Sequence, residues 1–269
     1  MINAFDMHTH SRFSVDCDSP EFDIYSGAQN KGLLGVAVTD HCECNNFYSN
    51  KYYKLIKDAF NTLNPQKEGL NTKSFKLIMG VELGQYNQGK ENGDKVLAAF
   101  PFDFVLASLH NIKNYPDFYF IDYDNADPDF LLTEYFSELL KIAKYNFFDC
   151  LSHITYPIRY IPSTARGGIN LEKYYPVIDE ILKMIIKNKK ALELNTSGMR
   201  TDFKDFIPSA EILKRYVSFG GDMICLGSDA HFCYQVGSYF KEALTLLKSL
   251  GIKNTVYFEE RKPHFVAID

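Results

Sequence analysis

Short apolar runs alternate with longer amphipathic ones along the whole chain. The short runs read as strands: "NAFDMHTH" (3–10), "GVAVTDH" (35–41), "FKLIMGVE" (75–82), "FDFVLASLH" (102–110), "FDCLSH" (148–153), "KALELN" (190–195) and "DMICLGSDAH" (222–231). Between them, apolar positions recur at helical spacing over 128–145, 171–188, 209–219 and 234–250, with earlier helices near 21–31 and 52–63. The punctuation fits, with Asp127 before Pro128 as cap and first turn, and Gly32, Gly220 and Gly251 as stops. Strand then helix, repeated, predicts a parallel α/β architecture, either a barrel or an open sheet. The stretches 84–101 and 154–170 read as long loops, and "VYFEERKPHFVAI" at the C-terminus as a further strand. No linker or low-complexity segment interrupts the pattern, so 1–269 is expected to be one domain.

Composition narrows the class. Of 269 residues 46% are hydrophobic and 23% charged, enough apolar residues to bury a sizeable core. The formal charge of −5 argues against a broad basic surface, hence against nucleic acid or an anionic membrane as partner. A small molecule is the expected partner. No basic segment followed by an apolar run opens the chain, and no stretch reaches the roughly 18 apolar residues of a membrane span, so a cytoplasmic location is expected. Cys17, Cys42, Cys44, Cys150, Cys225 and Cys233 are then expected as reduced thiols, in a chain far above the size that needs disulfides.

The polar residues that interrupt the apolar runs carry the chemistry. In "FDMHTHSRFSVDCD" a strand period projects Asp6, His8 and His10 from one face. An unpaired buried polar group costs roughly 1–3 kcal/mol, so something must hold them. His8, His10, His41, His110, His153 and the pair Asp229/His231 fall at or just past the C-terminal ends of strand-like runs, and Glu82 ends another. In a parallel α/β fold those ends share one face, where such folds keep their sites. Any one of these residues alone reads as a capped or hydrogen-bonded loop residue. Together they predict a metal centre, since chance would scatter histidines over helices and loops alike. His264 lies outside the pattern and reads as a surface residue. Imidazole and carboxylate donors suit zinc, manganese or iron, and there are too many for one ion, so two or three divalent ions are expected.

In this order, "DMHTH", "TDH", "GVE", "SLH", "LSH" and "GSDAH" resemble the motifs of the polymerase and histidinol phosphatase (PHP) superfamily. The resemblance spans residues 6 to 231. It implies a distorted seven-stranded (β/α) TIM-like barrel with a trinuclear centre: His8, His10, Glu82 and Asp229 around one ion, Glu82 bridging to a second on His110 and His153, and a third on Asp16, His41 and His231. Many members have His where this chain has Asp16, a departure that favours manganese or iron over zinc there. Asp6 and Asp40 read as outer acceptors that orient ligand imidazoles, or else as loop caps. Cys42 and Cys44 are adjacent to His41, but that set is complete without them.

The length, the segment "ELNTSGMR" (193–200) and the absence of polymerase domains look most like the stand-alone histidinol-phosphatase branch. That branch implies hydrolysis of L-histidinol phosphate in histidine synthesis, by attack of a metal-bridging hydroxide. It also makes Arg159 and Arg200 phosphate clamps, with Arg166 a weaker third, and leaves Asp229 or His231 to pass a proton to the leaving alkoxide. Three ions set against three ligand carboxylates and a hydroxide leave a surplus of about two positive charges, matching a phosphate monoester dianion. Other readings keep the barrel: a phosphoesterase for a nucleotide, another small ester or phosphotyrosine, or a metal-binding barrel without turnover. The Tyr- and Phe-rich segments "NNFYSNKYY" and "YPDFYFIDYD" read as a substrate mouth, an interface, or core and rim. No motif speaks to oligomeric state.

Overall fold

The computed structural model describes residues 1–45, 49–166 and 169–268. Its strands are β1 (Phe5–Thr9), β2 (Gly35–Val38), β3 (His41–Glu43), β4 (Lys76–Gly84), β5 (Phe104–Ser108), β6 (Cys150–Leu151), β7 (Ala191–Asn195) and β8 (Ile224–Gly227), followed by a hairpin of β9 (Asn254–Glu259) and β10 (Lys262–Ala267). The main sheet runs β1-β2-β4-β5-β6-β7-β8 with parallel pairing throughout, and β3 pairs with the far end of β4. Its edges meet: Thr9 bridges Ala230 in parallel, and the Asp229 amide donates to the His8 carbonyl at 2.8 Å. The sheet is therefore nearly closed into a barrel, as the strand-helix alternation predicts.

Alternation along the strands builds two layers. Val36, Val38, Leu77, Met79, Leu192, Leu194, Ile224 and Leu226 face outward and pack with helical Ile24, Leu132, Ile181 and Leu213. The inward set is Phe5, Met7, Ala37, Ile78, Phe104, Leu106, Cys150, Ala191 and Cys225. The C-terminal segment, expected as one strand, instead folds back as the hairpin, and its Val256 and Phe258 complete this inner cluster. Asp103 and Asp149, which lead into β5 and β6, bind Arg261 at the hairpin turn through the Asp103 carbonyl and the Asp149 carboxylate. The hairpin thus plugs the N-terminal end of the barrel, opposite the polar strand ends. Phe258 is fully buried at 5.4 Å from the Phe104 ring, and Phe258→Ala is expected to cost about 3–5 kcal/mol in denaturant unfolding. An unchanged midpoint would take the hairpin out of the core.

Several local expectations are corrected. The run 35–41 is not one strand: β2 ends at Val38, Asp40 turns its carboxylate to the Ser11 amide at 2.6 Å, and pairing resumes as β3. The predicted loop 84–101 holds a helix, Lys90–Ala99. Its Gly93 reads as a breaker but packs against Tyr86, where an added Cβ would lie 2.5 Å from the ring, so tertiary contact overrides propensity. The loop 154–170 contains a 3₁₀ turn, Tyr156–Arg159, and one helical turn, Ser163–Arg166. The helix expected over 234–250 starts only at Phe240, because Gly237 and Tyr239 have positive φ and Gly237 donates its amide to Asp6.

Candidate metal centre

β1 carries the first surprise. Its register with β2 slips between Asp6 and Thr9, so the strand bulges there. Met7 stays in the inner cluster and His8 also faces the barrel interior, while Asp6 ends on the other side. The strand period assigns Asp6, His8 and His10 to one face; a one-residue slip moves Asp6 off it. Asp6 accepts from the Ser228 amide at 2.9 Å, the Ser228 hydroxyl at 2.5 Å and the Gly237 amide at 2.8 Å. It pins the loop that carries Asp229 and touches no ligand imidazole.

The remaining predicted residues converge at the C-terminal strand ends. Glu82, fully buried, reaches His110 Nε2 and His153 Nε2 with Oε1 at 3.1 and 3.0 Å. Its Oε2 lies 3.3 Å from His8 Nε2, 3.6 Å from His10 Nε2 and 2.8 Å from His41 Nδ1. Asp229 Oδ1 stands 3.3 Å from His10 Nε2 and 3.8 Å from His8 Nε2. Asp16, 51% exposed, places Oδ2 at 3.1 Å from His231 Nε2 and 3.4 Å from His41 Nε2. His10, His41 and His231 form one potential ligand group, His8, His10 and Glu82 another, and Glu82, His110 and His153 a third.

The outward-facing ring nitrogens explain how these imidazoles are aimed. His8 Nδ1 meets Glu193 Oε1 at 2.6 Å, and His110 Nδ1 meets Glu43 Oε1 at 2.8 Å. His10 Nδ1 is 3.1 Å from the Ser14 hydroxyl, which donates to Asp40. Asp40 thus reaches His10 only through Ser14. His231 Nδ1 faces the Asp229 carbonyl and His153 Nδ1 the Ser152 hydroxyl. With Nδ1 engaged outward, the Nε2 atoms of these rings point inward at one another and at carboxylates. The Nε2 atoms of His8 and His10, 3.1 Å apart, must share either a proton or a cation. Among the described residues, Glu82 Oε2 and His41 Nδ1, 2.8 Å apart, make no well-aligned hydrogen bond. The donor set fits divalent ions.

Electrostatics agree. Burial disfavours charge on His8, yet Glu193, Glu82 and Asp229 outweigh it and hold its pKa well above the histidine norm. Burial likewise opposes charge on His110, but Glu82 and Glu43 carry it to about 10. His10 falls to about 3, through burial and the neighbouring His41 and His231. Burial would raise Glu82 and Asp229, but the surrounding histidines keep both well below the carboxylate range. Without metal, protons on the imidazoles must balance buried carboxylates; cations would take that place.

Arg159 sits against the rings of both Tyr156 and Tyr160, 4.5 and 4.8 Å from their centroids. Its Nη1 donates to Ser197 Oγ at 2.6 Å and Asp229 Oδ2 at 3.2 Å, while its buried Nε has no partner among the described residues. Arg200 donates to the carbonyls of Ser228 and Asp229 at 2.7 and 3.0 Å, bracing Asp229, whose φ is 53°. Arg166 spends its donors on the carbonyls of Ile161 and Arg159, the first at 2.7 Å. Its geometry is that of a loop brace.

Cys42 and Cys44 join the apolar core, and burial raises both thiols. All the cysteines are free thiols. His264 stacks on Tyr257 in the hairpin, remote from the centre. Of the aromatic segments, Tyr119 stands 5.6 Å from the Tyr160 ring and Asp117 accepts from Tyr156 at 3.1 Å, so 115–124 borders the Arg159 side. Positions 46–48 of the other segment lie outside the described residues. Glu43 and Glu193 were missed in the sequence. Glu193 had a signal, a carboxylate in the inward phase of a buried strand; Glu43 followed His41 by two on a strand too short to read.

A parallel barrel whose C-terminal strand ends gather imidazoles and carboxylates around space for cations defines a metal-dependent hydrolytic enzyme. The chain belongs to the PHP domain family, whose sequence profile matches residues 6–197. It is 29% identical over 261 residues to a probable histidinol-phosphatase of Clostridium acetobutylicum, covering 96% of this chain and 98% of that one. A probable histidinol-phosphatase of Thermotoga maritima is 30% identical over 252 residues, covering 92% and 93%. The fold matches the crystal structure of Lactococcus lactis histidinol phosphate phosphatase, complexed with zinc, L-histidinol and phosphate. That match has a TM-score of 0.78 at 23% identity and covers 98% of this chain and 100% of that one. No described helix is long and apolar enough to cross a membrane.

Proposed function

We propose that this chain is a phosphoric monoester hydrolase that converts L-histidinol phosphate and water to L-histidinol and phosphate, the phosphatase step of histidine synthesis. The observation that carries the reading is the meeting of His8, Glu82, His153 and Asp229, from four separate stretches of chain, in one buried centre. The full-length kinship with probable histidinol-phosphatases supports the substrate.

His8, His10, Glu82 and Asp229 would hold one ion, Glu82, His110 and His153 a second, and Asp16, His41 and His231 a third. Zinc, manganese or iron suits these donors. When bound, such ions polarise phosphoryl oxygens and lower the pKa of water toward neutrality. Arg159 orients the phosphate with the edge of its guanidinium that is not spent on Ser197 and Asp229. Arg200 contributes by fixing the Asp229 backbone, and any phosphate contact would use its remaining donors. Asp229 is held ionised, so it accepts rather than donates. The proton for the leaving alkoxide comes from His231 or from water at the rim, where Asp16 and His231 are 51% and 23% exposed.

Phosphate release by the metal-loaded protein, measured on L-histidinol phosphate, a nucleotide, phosphotyrosine, other monoesters and a diester, tests the assignment. L-Histidinol phosphate is expected to lead in kcat/KM by more than about tenfold. A diester leading by that margin would reverse it, and bound metal with no turnover on any ester would leave a silent barrel.

A further inference from the structure

Glu43 and Glu193 raise a packing question. A carboxylate pressed onto the outer nitrogen of a histidine needs room behind it, and strand interiors seldom leave any. Here the room comes from glycine. Gly84 lies opposite Glu43 in the β3–β4 register, and a Cβ built there would fall 2.1 Å from Glu43 Oε2 and 2.8 Å from its carboxyl carbon. At the other side of the centre, a Cβ on Gly227 would fall 2.1 Å from Glu193 Oε1 and 2.7 Å from His8 Cβ. The two cases are alike in build. One carboxylate oxygen takes Nδ1 of a centre-facing imidazole, and the carboxylate lies over a glycine of the adjoining strand. Glu193 also binds the His153 amide with Oε2 at 2.7 Å, linking two ligand strands. Glu43 Oε2 has no hydrogen-bond partner among the described residues and occupies the space a Cβ on Gly84 would take.

We infer that Gly84 and Gly227 are positioning residues of the metal centre: each keeps open the volume in which Glu43 or Glu193 fixes the ring of His110 or His8 with Nε2 turned inward. The inference rests on the metal-centre reading above. A methyl at 84 displaces the Glu43 carboxylate, frees the His110 ring to turn, and so weakens a cation site while leaving His110 and the ligands assigned above in the sequence. Outer-sphere partners of this type are worth about 10- to 100-fold in metal affinity.

Gly84 gives the cleaner test, since the Gly227 methyl would also strike His8 itself. Metal-free protein is titrated with zinc against a chromophoric chelator, and folding is checked by far-UV circular dichroism. Gly84→Ala is expected to weaken zinc binding at one site about 10- to 100-fold. Glu43→Gln, which adds no steric burden, should do the same and serves if Gly84→Ala does not fold. On a Glu43→Ala background, Gly84→Ala should cost nothing further, because its target is gone. Zinc affinity in Gly84→Ala equal to wild type, or a loss that adds in full on the Glu43→Ala background, overturns the inference. Wild-type protein that takes up no zinc overturns the metal-centre reading along with it.

Discussion

Glu82→Gln is expected to abolish metal retention and phosphate release together. Its two oxygens stand within 3.6 Å of ring nitrogens of His8, His10, His41, His110 and His153, so among the described residues no other side chain touches as much of the centre. Gln keeps the shape but removes the charge and aims an N–H donor where an electron pair is required. Loss of an outer partner of a ligand costs about 10- to 100-fold, and a shared ligand should cost more on each ion it serves. Elemental analysis after gel filtration, beside phosphate release, reads both quantities. Full metal with lost turnover would turn Glu82 into a proton carrier rather than a ligand, and wild-type values for both would dissolve the centre.

How far the sequence revealed this centre depended on where each residue sat along its strand. His8, His10, His41, Glu82, His110, His153, Asp229 and His231 stand out because they break apolar runs at the same end of each. Their partners do not. Glu193 sits inside "ALELN", where the leucines at 192 and 194 face the helices and Ala191, Glu193 and Asn195 face the barrel. It was read as part of an apolar strand and of the branch-like segment 193–200, never as a partner of the centre. Asp6 misled for the opposite reason, since an ideal period keeps it with His8 while the real strand bulges between them. The fold was legible through alternation, which local contacts do not disturb. The helix Lys90–Ala99 was hidden because its Gly93 is explained by contacts with Tyr86 and Cys44 that no helical pattern contains.

Glu43 and Glu193 also change the charge balance. The surplus of about two positive charges that three ions would leave over their ligands and a hydroxide is cancelled once both carboxylates are included. Attraction for a dianionic phosphate must then come from outside the ligand set. Arg159 and Arg200 are the cations in contact with the centre, and Arg200 is occupied with two carbonyls.

Arg159→Ala is therefore expected to lower kcat/KM for L-histidinol phosphate by about 10²- to 10³-fold, chiefly through KM, with metal content intact. Each hydrogen bond between charged partners contributes about 1.5–3 kcal/mol, and a guanidinium can give a phosphate two at once. The two tyrosine rings it contacts and the bond to Ser197 hold the group before substrate arrives, so little ordering cost is left for binding. Arg159→Lys should recover only part of the loss, because an ammonium keeps the charge but neither the planar fork nor the flat contact with the rings of Tyr156 and Tyr160. Steady-state kinetics with elemental analysis on the same samples separates the outcomes. A KM like that of wild type would move phosphate binding to Arg200, and a loss of metal in step with activity would make the contact between Arg159 and Asp229 a support of the centre rather than a clamp on substrate.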